Sequence, residues 1–259
     1  MSSIASKDNP RLRRWHTLVR DAATRRREHC ALIEGAHLVA ACLDSGAAVR
    51  SLILSKSGAG RPELSALAGR SAKAPVVLSD TLFRQLSDTE APSGIAAEIA
   101  IPAAAFDLKA APACVFLEAI QDAGNVGAIL RSAAAFGIRH AVLGAGCADA
   151  WSPKVLRAAM GAHFLLQVGE SADLAVTLGR FGGRTVCTVP HGGVPLSEVD
   201  LSGRLGWVFG SEGRGVSARL VAAAALKVRI PMPGGTESLN VAAAAAICFY
   251  EASRCGARF

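Results

Sequence analysis

Residues 230–247 read IPMPGGTESLNVAAAAAI, and this stretch determines more of the predicted fold than any other. A short β-branched run ends at Pro231, a Gly-Gly pair forms a flexible loop, and Ser238 or Asn240 can cap the alanine-rich helix that follows. Free backbone N–H groups at such a helix start suit a polar or anionic group. The stretch therefore predicts a strand, a ligand-binding loop and a helix, against the alternative of an ordinary capped turn.

The residues that precede this stretch alternate between short apolar runs and helical segments. Strands are predicted at Cys114–Ile120, His140–Leu143, Leu165–Val168, Arg184–Val189, Trp207–Phe209 and Val228–Ile230. Helices are predicted near Gly127–Phe136, Pro153–Met160, Ala172–Arg180, Ser217–Ala225 and Asn240–Ala252. This alternation is typical of a mostly parallel sheet that is covered by helices on both faces. The predicted fold class is therefore α/β.

The N-terminal part of the chain predicts a second, smaller α/β domain. Asn9 and Pro10 have the character of a helix cap and a first helical residue, and an apolar stripe that includes Trp15 follows them. The later strands and helices are predicted at Cys30–Glu34, Ala36–Leu43, Val49–Leu54, Pro62–Gly69, Val76–Ser79 and Asp80–Leu86, with Gly94–Ile101 as a candidate last strand. A proline-containing stretch of low periodicity then predicts a linker. The predicted domains are residues 1–100 and 113–259, joined by residues 101–112.

The composition excludes several classes of protein. Although 51% of the residues are hydrophobic, no uninterrupted apolar stretch is long enough to cross a bilayer, and the first residues lack the apolar core of a secretory signal. We therefore expect a cytoplasmic protein with no membrane partner. The seven cysteines are scattered and contain no CxxC pair, so neither a disulfide framework nor a zinc site is expected.

Most of the net charge of +7 lies in one segment near the N-terminus. Eight cations and two acids lie between residues 7 and 27, the cations being Lys7, Arg11, Arg13, Arg14, Arg20, Arg25, Arg26 and Arg27. A localised basic segment without a strongly apolar face favours nucleic acid over a membrane as its partner. The alternative is a solvated helix face.

Three loops that follow predicted strands hold unusual polar residues. They are residues 121–132, QDAGNVGAILRS, residues 209–216, FGSEGRGV, and the stretch that begins at Ile230. In the first loop, Asn125 is predicted to cap a helix, from which Arg131 could reach a phosphate or carboxylate. Parallel sheets bind ligands in such loops. Neither the G-x-G-x-x-G fingerprint nor the P-loop pattern occurs, which disfavours a nucleotide-dependent small-molecule enzyme.

In their order along the chain, the three loops resemble the motifs of the SpoU/TrmH family of RNA 2′-O-methyltransferases, which belongs to the SPOUT class. The matching residues are Asn125-x-Gly127-x-x-x-Arg131, Gly210-x-Glu212-Gly213-x-Gly215, and Ile230-Pro231-Met232 through Ser238-Leu239-Asn240-Val241. The resemblance covers essentially the whole C-terminal half. It implies a parallel sheet with a deep trefoil knot, S-adenosylmethionine as the cofactor, no metal, and a homodimer with the site near the subunit interface.

The N-terminal half is similar, with lower specificity, to the L30e-like RNA-binding domain that precedes the catalytic domain in many of these enzymes. Residues 6–12, SKDNPRL, and residues 32–35, LIEG, carry this similarity. It implies that the basic segment holds the backbone of a structured RNA, rRNA rather than tRNA, while the other domain performs the chemistry.

The resemblance also implies which residues form the site. The residues matched to catalysis are Arg131, Asn125, Glu212, Ser238 and Asn240, and those matched to cofactor binding are Thr188, Val189, Pro190, Gly210, Ile230, Pro231 and Leu239. Family proposals make Arg131 the base for the 2′-hydroxyl. Because a guanidinium stays protonated up to a pH of roughly 12, we favour Arg131 as a clamp on ribose and phosphate, with the phosphate as proton acceptor.

One position departs from the family pattern. Many relatives carry serine or threonine where this chain has Ala159, which puts substrate contacts in that region in doubt. The predicted activity is S-adenosylmethionine-dependent 2′-O-methylation of a ribose in structured RNA. The alternatives are a tRNA substrate and a non-catalytic RNA-binding or ribosome-assembly factor on the same fold.

Overall fold

A computed structural model of the protein describes residues 2–103, 107–236 and 238–258, apart from the side chain of Arg258. The chain forms two compact units. Unit 1 consists of Met1–Pro102 with Trp151–Phe164, and unit 2 consists of Ala103–Ala150 with Leu165–Phe259. The first division falls within the predicted linker, and the later segment in unit 1 was not predicted. The functional domains at residues 1–100 and 113–259 stay a prediction.

Helices and strands alternate along most of the chain. The strands are β1 (Ser2–Ile4), β2 (Cys30–Glu34), β3 (Val49–Ser55), β4 (Val76–Leu78), β5 (Ile95–Ala100), β6 (Ala113–Glu118), β7 (His140–Gly144), β8 (Gln167–Ser171), β9 (Arg184–Thr188), β10 (Val194–Pro195), β11 (Gly203–Gly210), β12 (Leu226–Arg229) and β13 (Ala257–Arg258). The α-helices are α1 (Pro10–Arg20), α2 (Ala22–Glu28), α3 (Ala36–Asp44), α4 (Lys56–Ala59), α5 (Pro62–Gly69), α6 (Asp80–Leu86), α7 (Ala123–Ala135), α8 (Pro153–Ala159), α9 (Leu174–Leu178), α10 (Ala218–Ala223) and α11 (Val241–Arg254). Over the described residues, no helix combines the length and apolar character that a bilayer crossing needs.

Unit 1 is built around a five-stranded sheet in the order β1-β4-β3-β5-β2. Strand β5 is antiparallel to β2 and β3, whereas β1, β4 and β3 pair in parallel. Strands β1 to β4 therefore end at the same edge of the sheet. The predicted small α/β domain is confirmed in its strands and in the closing strand β5.

Helix α1 belongs to the core of unit 1. The Asn9 side chain caps it by accepting the N–H of Arg11 at 2.9 Å, as the sequence predicts. Leu12, Trp15 and Leu18 are buried against the sheet. Each such side chain contributes about 1.5–3 kcal/mol by leaving water. The basic segment is therefore part of the fold and not a separable arm.

The basic segment does not form a single helix, because α1 ends at Arg20. Asp21 caps a new helix, α2, by accepting the backbone N–H groups of Ala23 at 3.2 Å and Thr24 at 2.8 Å. Aspartate competes with the helical backbone for these donors and favours cap positions. The basic segment is thus divided between two helices.

Unit 2 contains a sheet in which every described strand pairing is parallel. The strand order is β10-β12-β9-β11-β6-β7-β8, and β13 also pairs with β11. One face packs Phe116 against Phe181 of the segment after α9, and the other packs Trp207 and Phe209 against Phe249 of α11. The predicted parallel sheet with helices on both faces is confirmed.

Helix α7 begins at Ala123, before the predicted start at Gly127. The cap is Asp122, whose Oδ1 accepts the backbone N–H of Asn125 at 2.7 Å. Asn125 therefore lies inside the first turn, and the prediction that it caps the helix is wrong. Its side-chain amide is free for other contacts.

Strand β8 also differs from the predicted strand at Leu165–Val168. Its pairing with β7 begins where Gln167 lies opposite His140. A 3-10 turn at Ala162–Phe164 precedes it and leaves Leu165 exposed. An apolar run therefore marked the approach to the strand rather than the strand itself.

Candidate functional site

A cavity of about 320 Å³ lies at the carboxyl ends of β9, β11 and β12 in unit 2. Its walls are Thr188, Val189, Pro190, the Gly210–Val216 segment, Ile230, Met232, Ser238, Leu239, Val241 and Ala244. Parallel α/β sheets bind ligands at this edge, and the volume is typical of a small-ligand site. The structure therefore places a candidate ligand site between the second and third unusual loops and the segment that follows β9.

Six of the seven residues predicted to bind the cofactor line this cavity, the exception being Pro231. Glu212 and Ser238, predicted to act in catalysis, line it as well. The predictions missed several further lining residues, namely Ser211, Gly213, Arg214, Gly215, Val216, Met232, Val241 and Ala244. All but Ala244 adjoin a motif residue or belong to a motif, whereas Ala244 lies one turn inside α11 and carries no sequence signal. The functional roles of the lining residues stay predictions.

Gly210 allows β11 to close against the loop that follows it. Ser211 and Gly215 form an isolated antiparallel bridge, and the Gly215 N–H donates to the Ser211 carbonyl at 2.7 Å. A Cβ at position 210 would overlap the carbonyl group of Gly215. Gly215 itself has φ of +65°, a region that favours glycine. The wall of the cavity is therefore a compact turn that requires these two glycines.

Three of the residues predicted to be catalytic form a hydrogen-bonded chain. Asn125 donates from Nδ2 to Oε1 of Glu212, and its Oδ1 accepts from Nδ2 of Asn240 at 2.9 Å. The Oδ1 of Asn240 accepts the N–H groups of Ala242 at 2.9 Å and Ala243 at 3.2 Å, so Asn240 caps α11. Each amide is used at both ends, which fixes its orientation. This chain connects the three motif loops.

Glu118 supports the same loops from the end of β6, and no sequence pattern identified it. Its Oε2 accepts the backbone N–H of Ser217, the cap of α10, at 2.7 Å. Ala119, the next residue, has φ of +52°, a conformation that costs about 1–2 kcal/mol in a residue with a Cβ. The contact connects the end of β6 to the segment that follows the Gly210–Val216 wall.

Arg131 is not brought to the cavity within one chain. It lies on α7, is exposed and does not line the cavity. The described residues provide it with no hydrogen-bond or ion-pair partner. It follows Asn125 by six positions in the helix, so the two side chains leave the helix in directions about 120° apart. The predicted catalytic set is therefore divided into a connected trio at the cavity, Ser238 in its wall, and Arg131 outside it.

The cysteines near the cavity do not favour nucleophilic chemistry. Burial, followed by the charge of Glu118, raises the pKa of the Cys187 thiol to about 12. Burial also raises the pKa of Cys147. A thiol with a raised pKa is protonated at neutral pH and is a weak nucleophile. The site instead offers amides, a carboxylate and a hydroxyl, which can bind and orient polar groups of a ligand.

The cations predicted to bind RNA are not equivalent in unit 1. Arg25 is 4% exposed and donates to the carbonyl of Leu18 at 2.5 Å, near the C-terminal end of α1. Arg14 is paired with Glu28 and Glu98. Both side chains stabilise the fold through these contacts, as cations near a helix C-terminus and in partly buried pairs do. Neither is available as a free surface charge.

The six remaining cations of the predicted set are exposed, namely Lys7, Arg11, Arg13, Arg20, Arg26 and Arg27. Arg13 pairs with Asp8 at 2.6 Å and Arg27 with Glu28 at 3.4 Å. Exposed pairs of this kind contribute about 0–1 kcal/mol and exchange readily for other anions. Six of the eight predicted cations therefore remain candidates for RNA binding, and this role stays a prediction.

The sequence matches two family descriptions. Residues 112–250 match the SpoU rRNA Methylase family, and residues 9–97 match the MRM3-like substrate binding domain. The chain is 33% identical over 252 residues to the 23S rRNA (guanosine(2553)-2′-O)-methyltransferase RlmP of Bacillus subtilis. This alignment covers 96% of the present chain and 98% of RlmP.

Two solved structures share the fold over nearly the whole chain. A protein from Porphyromonas gingivalis, described as an RNA methyltransferase of the TrmH family, superimposes with a TM-score of 0.82 at 32% identity, covering 94% of this chain and 96% of that one. The SpoU methyltransferase AviRb from Streptomyces viridochromogenes, solved in complex with the cofactor AdoMet, gives a TM-score of 0.87 at 26% identity, with coverages of 95% and 97%.

Proposed function

Because the chain belongs to the SpoU rRNA methylase family, we propose that it transfers the methyl group of S-adenosylmethionine to a ribose 2′-hydroxyl of ribosomal RNA. The hydrogen-bonded chain of Asn125, Glu212 and Asn240 is the observation that carries this proposal. It connects the first motif loop to the two motif loops that line a cavity of the right size for a small ligand. A ribosome-assembly factor without activity would not need these polar groups oriented at such a cavity.

The chemistry of the cavity fits S-adenosylmethionine. Val189, Ile230 and Leu239 give apolar walls on which a flat adenine can pack, and Glu212 and Ser238 add polar groups. The missing Cβ of Gly210 already allows one close backbone approach within the wall. When bound, the cofactor supplies an electrophilic methyl group on a cationic sulfonium. The nearby carboxylate of Glu212 has the charge that complements this cation.

In the proposed mechanism the residues of the chain orient the ribose and exclude water. Asn125 binds one carboxylate oxygen of Glu212, which leaves the other oxygen to accept a hydrogen bond from a ribose hydroxyl. Holding the hydroxyl in line with the methyl group removes much of the entropic barrier. Arg131 binds the 2′-oxygen and an adjacent phosphate, and that phosphate accepts the proton.

We propose that the protein acts as a homodimer in which the partner subunit's Arg131 completes the site. Arg131 does not line the cavity of its own chain. In a dimer, Arg131 of one subunit can instead reach the cavity of the other subunit. Helix α11, which packs beside α7, exposes 40% of Ile247 and 53% of Tyr250. Large apolar side chains exposed together on one helix favour a protein interface.

We also propose that unit 2 is knotted, as the family resemblance implies. Strand β11 lies between β6 and β9, whereas the next long strand, β12, lies on the far side of β9. This strand order supports a knot, in which the chain passes through an earlier loop before it forms α11. The cytoplasm, where ribosomal RNA and the cofactor meet, is the proposed location.

Labelled S-adenosylmethionine tests the proposal with unmodified 23S rRNA, 16S rRNA and tRNA transcripts as substrates. We expect label in one rRNA, at a position that resists alkaline hydrolysis because its 2′-hydroxyl is blocked. Label in tRNA alone would transfer the proposal to tRNA. Calorimetry that detects no binding of the cofactor, together with no label in any RNA, would contradict it and favour the non-catalytic factor.

A further inference from the structure

Strand β3 carries a β-bulge at its start. Opposite β5, Val49 pairs with Ile99 and Ser51 pairs with Glu98, so Arg50 is an extra residue without a partner in the ladder. A bulge disrupts the ladder locally and redirects the side chain of the inserted residue. Arg50 is exposed and lies outside the basic segment of residues 7–27.

Ser51, the residue after Arg50, lies on the face of the sheet that α1 covers. Arg11, in the first turn of that helix, donates from Nη2 to Oγ of Ser51 at 3.3 Å. Cys30 lies in the buried cluster beneath α1. Burial raises the pKa of its thiol, and a hydrogen bond from Arg14 and the charge of Arg50 oppose that shift. Arg11 of α1 therefore contacts the residue that follows Arg50 in β3, and the charge of Arg50 reaches the buried cluster beneath the helix.

The carboxylates on this face are already occupied. Glu28 accepts from Nε of Arg14 at 2.8 Å, and Glu98 accepts from Arg14 and from Nε1 of Trp15. Neither Arg11 nor Arg50 has a carboxylate partner within the described part of the chain. The exposed guanidinium groups of Arg11, which contacts the Ser51 hydroxyl, and of Arg50, the residue before Ser51, thus lack an internal counterion and attract an external anion.

We propose that Arg11 and Arg50 bind a phosphate of the RNA backbone at the start of β3, with the Ser51 hydroxyl as a third donor. This inference rests on the proposed function, which makes structured RNA the polyanion that the protein meets. Guanidinium groups bind phosphate oxygens in pairs of parallel hydrogen bonds, and phosphate contacts set the orientation of a bound nucleic acid. The bulge places Arg50 directly before Ser51, the residue of β3 that contacts the basic helix α1.

Point substitutions test this site in the full chain, because removal of the basic segment would also remove buried Leu12, Trp15 and Leu18. The variants are Arg50→Gln, Arg50→Lys and the control Lys56→Gln. Lys56 is exposed and follows the opposite end of the same strand, so it matches the change in charge at about 20 Å from Arg50. Binding of each variant to an unmodified 23S rRNA transcript is measured over a series of salt concentrations.

We expect Arg50→Gln to weaken binding roughly fivefold at low salt and to reduce the slope of log K against log salt by about 0.7–0.9, the loss of one phosphate contact. Arg50→Lys retains the charge and should retain most of the slope. Lys56→Gln should bind like the wild type. A wild-type slope for Arg50→Gln, or an equal loss for Lys56→Gln, overturns the site.

Two further measurements separate this inference from the proposed function. The thermal midpoint of Arg50→Gln should match that of the wild type, and its calorimetric affinity for S-adenosylmethionine should be unchanged. If the wild type binds both RNA and cofactor while Arg50→Gln behaves like it, the phosphate site alone is refuted. If the wild type binds neither, the proposed function itself fails.

Discussion

Arg20 and Arg25 lie five residues apart in the same basic segment, yet their surroundings give them different uses. Arg25 is buried against the end of α1, where it donates to a backbone carbonyl, whereas Arg20 is exposed at the last position of that helix. A count of charges cannot separate the two, because the difference depends on which face the next helix presents. At the scale of single residues, burial and partners therefore decide which arginines remain available to RNA.

A methyl group at position 210 tests the wall of the cavity. Gly210→Ala should lower the affinity for S-adenosylmethionine at least about tenfold, because the new Cβ overlaps the backbone of Gly215 and overpacking of this kind costs about 1–3 kcal/mol. Gly213→Ala is the matched control, since a Cβ there meets no atom within 4 Å. Calorimetry compares the two variants, and equal affinities would contradict the role of Gly210.

A substitution that keeps the positive charge of Arg131 but removes the planar guanidinium tests which of the two properties matters. Arg131→Lys should lose most methyl transfer, by roughly tenfold or more, because an ammonium cannot bind ribose and phosphate as a bidentate fork does. Cofactor binding should remain, since Arg131 does not line the cavity. A labelled-methyl assay and calorimetry measure the two properties, and near-normal turnover would refute the clamp.

At the scale of elements, one of the two helices at the site, α7, begins with a different cap from the one that the sequence suggests, whereas Asn240 caps α11 as expected. Asp122 caps α7, which frees Asn125 to bind Glu212, whereas Asn240 caps α11 and also binds Asn125. The sequence predicts that polar residues occur at both helix starts. It cannot rank two neighbouring candidates for a cap, because their capping strengths are nearly equal.

Asn240 caps α11 and also binds Asn125, and these two functions can be tested separately. Asn240→Ser should retain the cap on α11, with a free energy of unfolding within about 0.5 kcal/mol of the wild type. It should lose methyl transfer because the short hydroxyl cannot reach Asn125. Asn240→Ala should lose the activity and also about 1 kcal/mol of stability. Urea denaturation and a labelled-methyl assay check these outcomes, and full activity in the serine variant would contradict the proposed amide chain.

Helix α10 is held by two carboxylates, and only one of them is at the site. Glu118 accepts the backbone N–H of Ser217 at the start of this helix, and Asp173 pairs with Arg219 at 2.8 Å. Glu118→Ala should weaken cofactor binding several-fold because the cavity wall precedes Ser217, and Glu118→Gln, which keeps an acceptor oxygen, should recover most of it. Asp173→Ala should leave the affinity unchanged. If Glu118→Ala and Asp173→Ala reduce the affinity for the cofactor by similar factors, Glu118 acts only by stabilising α10.

At the scale of the whole molecule, the periodic features were predictable and the non-local ones were not. Alternating apolar runs predicted the parallel sheet of unit 2, and Asn9 with Pro10 predicted the start of α1. The grouping of residues 151–164 with unit 1 depends on contacts between distant segments. The bulge at Arg50 depends on the register between β3 and β5, which no local pattern encodes. Site residues were predictable where they belonged to a motif.

The free energy of unfolding should fall in two steps as the pH is lowered. Burial lowers the pKa of His16 and of His140, so the unfolded chain takes up protons first below a pH of about 6.5, and stability declines through the folded pKa values. Side-chain hydrogen bonds from Thr24 and Ser57 lower the pKa of Asp21 and of Asp80. These carboxylates contribute stability above a pH of about 4, and it is lost as the pH falls through their folded values.

Urea denaturation near pH 7.5, 5.5 and 3.5, each chosen to bracket roughly one of these steps, measures the decline. His140→Gln serves as a control, because it removes one contributor to the upper step and leaves the lower step intact. Stability that stays constant between neutral pH and about 5.5 would contradict the assignment of the histidines.

The hydrogen-bonded chain of Asn125, Glu212 and Asn240 also bears on the order of folding events. Its two contacts join residues 115 and 87 positions apart in the chain. Closing loops of this length costs conformational entropy before any contact forms, so the network assembles after the more local strand and helix pairs of unit 2. Interactions that form after the transition state govern the unfolding rate rather than the refolding rate. The parts that make this protein an enzyme are therefore among the last to form and the first to open.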